Sequence, residues 1–363
     1  MHTVAQYLPP LRPALPPALI GAEAWAAIMA VAAQLPGALA HSVFLFECRL
    51  GDPHPVADFL VCASARHGGR APLAELAAPG WGYTPTGAAL AAHPIWQRVV
   101  TLARAWADPT TPLHGALTDV WLEFDLPGAA PPIPLPSVFF GGPLPPDTAP
   151  ADRAARQLDR MGQAIRLLTG RDLPAPVAGQ LARCLTALPP GAQSPVAAVL
   201  PARNTGAIRL VLDGIAAAEV LPYLERIGWP GPRGRVAQAL PGLAARCDYL
   251  WLDLDVDTTL APKVGVECVF HSGPAQAGWP AFFAYLAEMS LCRADKGAAV
   301  LAYPGTLAAD AAGAAWPAPL REVAAVLGPI GYRRLVREIH HVKLVFEADR
   351  PLEAKVYLAA YYE

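Results

Sequence analysis

Residues 248–270 read DYLWLDLDVDTTLAPKVGVECVF, and residues 340–362 read HHVKLVFEADRPLEAKVYLAAYY. The two segments align without a gap, so that Leu252 corresponds to Leu344 and Lys263 corresponds to Lys355. In each segment, apolar and polar residues alternate, a short loop intervenes, and a second alternating stretch begins at the lysine. This pattern is typical of a β-hairpin, and its recurrence indicates a fold built from repeats.

Shorter copies of this hairpin occur earlier in the chain. The sequence WLEFD at 121–125 matches WLDLD at 251–255. The five predicted hairpins span residues 43–64, 119–141, 195–213, 248–271 and 340–362. The intervals between them predict helices at Ala22–Leu35, Ala151–Leu168, Ala216–Ile227, Arg235–Cys247, Trp279–Leu291 and Pro319–Ile339. The chain is therefore predicted to be an α+β protein made of five α-α-β-β units.

Ten antiparallel strands must either leave two sheet edges or close. An open sheet exposes unpaired backbone groups at both edges, whereas closure into a barrel pairs all of them. A barrel of ten strands is wide enough to enclose a cavity, and the helices then cover its outside. We therefore predict one domain over residues 1–363, a ten-stranded antiparallel β-barrel with the helices outside.

The alternation also assigns the two faces of the barrel wall. In the fourth hairpin, Leu252 and Leu254 share one face, and Trp251, Asp253 and Asp255 share the other. Helices pack on aliphatic residues, so the charged and aromatic face is predicted to line the interior. Large aromatic side chains mixed with lysine, histidine and carboxylates suit a ligand cavity.

Composition excludes several classes of protein. The chain has 363 residues, is 54% hydrophobic and 16% charged, and carries a formal net charge of −2, which argues against a nucleic-acid partner. It begins without a signal-peptide pattern, and its most apolar stretch, 22–45, is interrupted by Glu23, Pro36 and His41. We therefore expect a cytoplasmic protein without a membrane partner. The six cysteines form no CxxC and no ligand spacing with histidine, so we expect no zinc, no other metal and no cofactor.

The repeated unit resembles the architecture of the ABBA-type aromatic prenyltransferases, the PT barrel, and is most similar to the indole prenyltransferase branch. In that pattern a first strand ends in an Asp-Leu-like element, here Asp125-Leu126 and Asp255-Val256. A second strand presents Lys-x-Tyr-x-x-x-Tyr, here Lys355, Tyr357 and Tyr361. The chain departs from the pattern at 134–140, which has no basic residue, and in its fourth hairpin, which has Lys-x-Gly-x-Glu.

The resemblance implies transfer of a prenyl group from an isoprenoid diphosphate to an aromatic or peptide acceptor. A diphosphate leaving group needs fixed cations, and an allylic cation needs a dry aromatic wall. The candidates for diphosphate binding are Arg209, Lys263, Lys343, Lys355 and Tyr357. The candidates for the base that takes the acceptor's proton are Glu47 and Glu123, with Asp253 and Glu267 as further candidates. The residues expected to line the cavity are Trp121, Trp251, Asp253, Glu267, His341 and Tyr361.

Two other functions stay open at this point. Asp253 and Asp255 at the end of a strand are also typical of a glycosyltransferase that holds Mn²⁺ or Mg²⁺ against a nucleotide sugar. The second is a non-catalytic barrel that binds a hydrophobic or peptide ligand in a biosynthetic pathway. The sequence has no GxGxxG, P-loop, GxSxG or HExxH motif. His340 and His341 are neighbours on a strand, so their side chains are expected to lie on opposite faces and not to share one ion.

Overall fold

The computed structural model describes residues 2–77, 85–144, 148–271, 277–327 and 332–363. Its strands are β1 (Val43–Arg49), β2 (Ala57–Ser64), β3 (Asp119–Phe124), β4 (Ser137–Gly141), β5 (Gln193–Val199), β6 (Ile208–Asp213), β7 (Tyr249–Val256), β8 (Leu260–Val269), β9 (Gly305–Ala308), β10 (Arg334–Phe346) and β11 (Glu353–Tyr362). Its α-helices are α1 (Ala22–Ala32), α2 (Arg70–Ala74), α3 (Pro85–Ala92), α4 (Pro94–Ala107), α5 (Pro112–Ala116), α6 (Pro150–Thr169), α7 (Ala175–Thr186), α8 (Ala217–Arg226), α9 (Arg233–Ala244), α10 (Trp279–Glu288), α11 (Ala294–Leu301), α12 (Ala309–Ala312) and α13 (Ala318–Leu327).

The strands form one antiparallel sheet that closes on itself. Strands β1 to β8 are neighbours in chain order, β8 pairs with β10, β10 pairs with β11, and β11 returns to β1. In the closing pair, Glu47 of β1 lies opposite Tyr357 of β11. The prediction of a ten-stranded antiparallel barrel is confirmed. Strand β9 is an additional short strand that pairs with the first part of β10, beside the ring.

The main hydrophobic core lies between the outer face of the barrel and the helices. Leu252 of β7 and Val266 of β8 point outward and are fully buried there. Helix α4 shows how a helix covers this face, because Trp96, Val99 and Trp106 repeat at helical spacing and are buried. At about 25 cal/mol for each Å² of apolar surface removed from water, such aromatic side chains contribute strongly to stability. The polar face of each strand is thereby turned inward.

The structure corrects the helix predicted at Pro319–Ile339. Helix α13 ends at Leu327, and the chain is already a strand from Arg334, ahead of the predicted hairpin start. The segment is a strand because it has a partner on each side, Leu335 lying opposite Leu307 of β9 and Tyr362 of β11. Backbone pairing at both edges outweighs a weak helical propensity. Between the first two hairpins, helices α2 to α5 occupy a segment for which no specific helix was predicted.

The described residues share one large core that runs from Val4 to Tyr362. A continuous core is what a single domain requires, and the single-domain organisation of residues 1–363 stays our prediction. Within the described ranges, no helix combines the length and the apolar character needed to cross a membrane.

The close approach of β4 and β5 at Gly141 gives a test of barrel closure. A Cβ atom at this position would lie 1.9 Å from the carbonyl oxygen of Pro195 and 2.8 Å from Cα of Val196. Backbone cannot yield as a flexible side chain can, so Gly141→Ala should lower the free energy of unfolding by about 3 kcal/mol. Gly128→Ala is the matched control, since a Cβ there meets nothing within 4 Å. Urea denaturation of both variants checks this, and equal stabilities would contradict the described strand contact.

Candidate active site

Charged side chains from several strands converge inside the barrel on a pocket of about 60 Å³. We call it the cation pocket, because it is lined by five basic residues, Arg203, Arg209, Lys263, Lys343 and Lys355. The other lining residues are Glu47, Asp253, Asp255, Gly265, Val345 and Tyr357. Strand register produces the cluster, since Arg209 lies opposite Asp255 and Lys343 lies opposite Lys355. The structure thus brings together the four basic residues and the tyrosine that the sequence indicated for diphosphate binding.

Lysine is used selectively in this chain. Of 28 basic residues only four are lysines, Lys263, Lys296, Lys343 and Lys355. Three of them line the cation pocket. Lys296 is buried outside the barrel, where its ammonium group donates to the carbonyl oxygens of Arg49 and His54. Lysine is a compact point charge that binds phosphate oxygens well, so its concentration here indicates an anionic ligand.

Glu47 lies between Lys355 and Tyr357. Its Oε1 is 2.7 Å from Nζ of Lys355, and the Tyr357 hydroxyl donates to its other oxygen. Burial by itself would raise the pKa of Glu47, but the charge of Lys355 and the two hydrogen bonds lower it overall. Burial would likewise lower the pKa of Lys355, but Glu47 and Glu353 outweigh this and raise it. The pair is therefore ionised, and Tyr357 is fixed as a donor.

A second ion pair lies across β6 and β7. Arg209 makes a bidentate contact with Asp255, at 2.7 Å from Nε to Oδ1 and 2.9 Å from Nη2 to Oδ2. Lys263 adds its ammonium group 3.5 Å from the same carboxylate. Burial lowers the pKa of Lys263. Two cations thus share one carboxylate, which leaves one positive charge of this group without its own anion.

A third group has the opposite imbalance, with one lysine between two carboxylates. Lys343 donates directly to Asp253, and its Nζ lies 3.3 Å from Oε1 of Glu267. Burial lowers the pKa of Lys343 well below its usual range, so this lysine does not hold Glu267 in the charged form. Burial, together with the fields of Glu47 and Glu123, raises the pKa of Glu267 to about 8. Glu267 is therefore a neutral carboxylic acid near pH 7.

A larger cavity of about 200 Å³ adjoins the cation pocket. We call it the aromatic chamber, and it is lined by Leu45, Leu60, Trp121, Glu123, Phe139, Val196, Arg209, Val211, Trp251, Asp253, Glu267, His340, His341, Lys343 and Tyr357. The lining residues common to both cavities are Arg209, Asp253, Lys343 and Tyr357. A mostly apolar cavity thus shares a wall with a charged one, an arrangement that suits a ligand with an apolar chain and an anionic head.

The aromatic rings of the chamber are held in place by contacts with neighbouring side chains. Tyr357 stacks on His341, with ring centroids 4.0 Å apart and planes 20° from parallel. Trp251 lies 6.4 Å from His341, and its indole N–H donates to Asp213. Trp121 packs against the small apolar cluster of the interior, which includes Leu45 and Leu60. These aromatic side chains thus line the chamber in positions set by their neighbours.

The two predicted bases occupy different places. Glu47 belongs to the cation pocket and is not among the residues that line the chamber. Glu123 does line the chamber, where its Oε1 lies 3.0 Å from Arg203 and its Oε2 is buried without a hydrogen-bond partner. Burial raises the pKa of Glu123 against the opposing field of Arg203. Tyr361 shares the inward face but lies farther along β11, opposite Val43, outside both sets of lining residues.

Sequence reasoning missed two residues of this site. Arg203 lies in the connection between the two strands of the predicted hairpin 195–213, and its side chain reaches back to Asp125 and Glu123 at 2.8 and 3.0 Å. The turn ends at Asn204, whose left-handed backbone (φ 48°) redirects the chain. An arginine in a turn carries no periodic signal, so the pattern could not assign it to the interior.

His340 is the second missed residue, and here the prediction about facing was wrong. The register of β10 shifts between Ile339 and His341, a β-bulge, so that the two histidines lie on the same side of the sheet. Their Nδ1 atoms are 2.7 Å apart, and both side chains line the chamber. The sequence did carry a signal, because the outward-facing Ile339 and Val342 are three residues apart where regular alternation requires two or four.

Metal-ligand geometry is not found in the part of the chain that the structure describes, where no group of three or more histidine, cysteine or acidic side chains can hold an ion. Asp253 and Asp255 are engaged by Lys343 and Arg209. The six cysteines are free, and five of them are buried.

The neutral state of Glu267 gives a testable pH dependence. A carboxyl group whose pKa rises on folding binds a proton more tightly in the folded state, so its cost to stability grows as the pH rises from about 4.5 towards 8. The stability gained through Glu267→Gln should therefore be larger at pH 8.5 than at pH 5.5, by about 3 kcal/mol. Urea unfolding at both pH values measures it, with the exposed Glu288→Gln as control. An equal gain at both pH values would contradict the assignment.

Comparison with known proteins gives a match in structure and none in sequence. No sequence-family model matches the chain, and no curated protein matches its sequence. The apo form of the prenyltransferase PriB superposes with a TM-score of 0.51 and 16% identity, over 98% of this chain and 94% of PriB. The 5-dimethylallyltryptophan synthase from Streptomyces coelicolor gives a TM-score of 0.49 and 15% identity, over 98% and 95% of the two chains. With its closed ring of ten antiparallel strands and its outer helices, this chain has the barrel fold of the ABBA prenyltransferases.

Proposed function

We propose that this protein transfers a prenyl group from an isoprenoid diphosphate to an aromatic acceptor inside the barrel. The observation that carries the proposal is the cation pocket opening on the aromatic chamber through shared residues. A prenyl diphosphate has the matching form, an anionic head on a short apolar chain. PriB, which shares the fold, is itself named a prenyltransferase.

The cation pocket supplies what departure of the diphosphate requires. As the allylic C–O bond breaks, its electron pair leaves with the diphosphate, and negative charge grows on the leaving oxygen. Lys263, Lys355 and Arg209 line the pocket and can donate to phosphate oxygens. Groups fixed before the reaction stabilise this charge without reorganisation. Glu47 keeps the Lys355 ammonium and the Tyr357 hydroxyl in place, so we assign it an orienting role.

The aromatic chamber supplies what the allylic cation requires. The cation is attracted to π faces and is consumed by water, so it needs rings around it and little solvent. Tyr357, Trp121 and Trp251 provide such faces on three strands, and Tyr357 stands where the two cavities meet. The acceptor ring then attacks the cation and afterwards loses a proton. Glu123, which has one unpartnered carboxylate oxygen in the chamber, is a candidate to receive it.

The two alternative functions are weaker on this geometry. In the glycosyltransferase hypothesis Asp253 and Asp255 bind a metal ion, but both are already neutralised by Lys343 and Arg209. A non-catalytic barrel for a hydrophobic or peptide ligand does not require three lysines beside an aromatic wall. We further propose that the reaction needs no cofactor. We also propose that it takes place in the cytoplasm, where the reducing environment is consistent with six free cysteines.

Removal of single cations from the pocket tests the proposal. Lys263→Met leaves Asp255 with Arg209, so no carboxylate is left unpaired, and it should weaken binding of dimethylallyl diphosphate by about 10- to 100-fold. Lys355→Met should do at least as much. Isothermal titration calorimetry measures both, with Arg156→Met on the exposed side of α6 as control.

The same proteins are then assayed for turnover with dimethylallyl diphosphate and L-tryptophan. Loss of binding and of turnover in the pocket variants, with the control unchanged, is the expected result. If wild type binds neither dimethylallyl nor geranyl diphosphate, the prenyl-transfer function is wrong. Binding without any turnover would instead favour the non-catalytic barrel.

A further inference from the structure

The β-bulge in β10 places two histidines side by side in the chamber wall. Ile339 and Val342 are both buried in the outer core, so the two residues between them both turn inward. His340 and His341 meet through Nδ1 atoms 2.7 Å apart, a hydrogen-bond distance. A bulge is a costly departure from regular pairing and is commonly found beside active sites, where it re-aims a side chain.

The contact defines the protonation of the pair. Two imidazole nitrogens at 2.7 Å need one proton between them, so one Nδ1 donates and the other accepts. A hydrogen on both Nδ1 atoms would instead set two N–H donors against each other at this distance. Burial lowers the pKa of His340 to about 4 and lowers that of His341 well below its usual range. The pair is therefore neutral at physiological pH, with nitrogen lone pairs free to take a proton.

The surroundings leave one of these nitrogens unused. Nε2 of His341 is buried and has no hydrogen-bond partner in the described part of the chain. The nearest acidic group is Oε2 of Glu267, at 3.6 Å. Tyr357 stacks on one face of the His341 ring, and Tyr357 also lines the cation pocket. An unpartnered buried nitrogen beside the chamber is a polar group that a structural role does not explain.

We propose that the His340–His341 pair receives the proton that the acceptor ring releases after prenylation. This inference rests on the proposed function. A C–C bond forms between the allylic carbon and a ring carbon, and the C–H bond at that carbon then breaks. Its electron pair restores the aromatic ring, and the proton passes to an imidazole nitrogen, which becomes an imidazolium shared across the Nδ1–Nδ1 bond. The proton returns to water when the product leaves.

The histidine pair suits this step better than Glu123 does. A protonated aromatic ring is a strong acid, so a base of low pKa is sufficient to take its proton. Oε1 of Glu123 is in an ion pair with Arg203, and burial raises the pKa of this carboxyl group, so that it is less ready to act as an anion. A neutral base also leaves the charge balance of the chamber unchanged while the allylic cation forms.

Isotope effects can test this inference. The assay uses dimethylallyl diphosphate and L-tryptophan that is either unlabelled or deuterated at its indole carbons. In wild type, loss of the ring proton is fast, so we expect no primary isotope effect. His340→Asn and His341→Asn should each lower kcat by about 100-fold and make a primary isotope effect appear. A merely structural role would lower the rate without creating an isotope effect.

Two further variants complete the design. His271→Gln changes an exposed histidine just beyond the end of β8 that is not among the chamber-lining residues, and it should behave as wild type. Glu123→Gln tests the rival base. His340→Asn is the decisive variant, because it leaves the Tyr357–His341 stack intact, and His340→Gln replaces it if the asparagine variant does not fold.

The outcomes separate this inference from the proposed function. If wild type transfers the prenyl group, and the His340 and His341 variants keep its rate without an isotope effect, the inference is wrong. It is also wrong if the isotope effect appears in Glu123→Gln alone. Failure of wild type to prenylate any aromatic acceptor contradicts the proposed function itself, and the inference with it.

Discussion

An unpaired charge inside a protein costs several kcal/mol, and this barrel encloses five basic side chains in one pocket. These buried basic side chains are stabilised by carboxylates on facing strands, because Glu47 pairs with Lys355 and Asp255 pairs with Arg209. These pairs require correct register around the whole ring. A slip of one residue would move every charge to the outer face, beneath the helices. The same strand register is therefore required for the buried ion pairs and for closure of the barrel.

The same pairing sets the chemistry that the cavity can support. Two cations share Asp255, whereas Lys343 lies between Asp253 and Glu267. The cation pocket thus has surplus positive charge beside Asp255, and the adjoining chamber contains a surplus carboxyl group, that of Glu267, which is mostly protonated near pH 7. An anionic head group is favoured near Lys263, and the apolar remainder of a ligand is directed towards the aromatic rings. The position of Tyr357, between the two cavities, connects the charged and aromatic halves.

Much of this arrangement follows from the sequence because strand alternation has a period of two. The gap-free alignment of 248–270 with 340–362, together with the alternation inside both segments, was sufficient to predict the last two hairpins, their inward face and the convergence of Lys263 and Lys355. Features that break the period were not predictable in the same way. Arg203 enters the pocket from a turn, the bulge at His340 inverts the facing of one residue, and residues 334–339 form a strand because of partners distant in sequence. Similarly, alternation places Glu47 and Glu123 on one face but cannot say which of the two lies in the chamber.

The central claim is that one ligand spans the two cavities, with its diphosphate in the cation pocket. An experimentally determined structure with dimethylallyl S-thiolodiphosphate bound tests this most directly, since the sulfur linkage resists ionisation. The account predicts phosphate oxygens within hydrogen-bond distance of Lys263, Lys355 and Arg209, and the dimethylallyl group against Tyr357. Analogue bound outside the barrel, or with its diphosphate in the aromatic chamber, would contradict it.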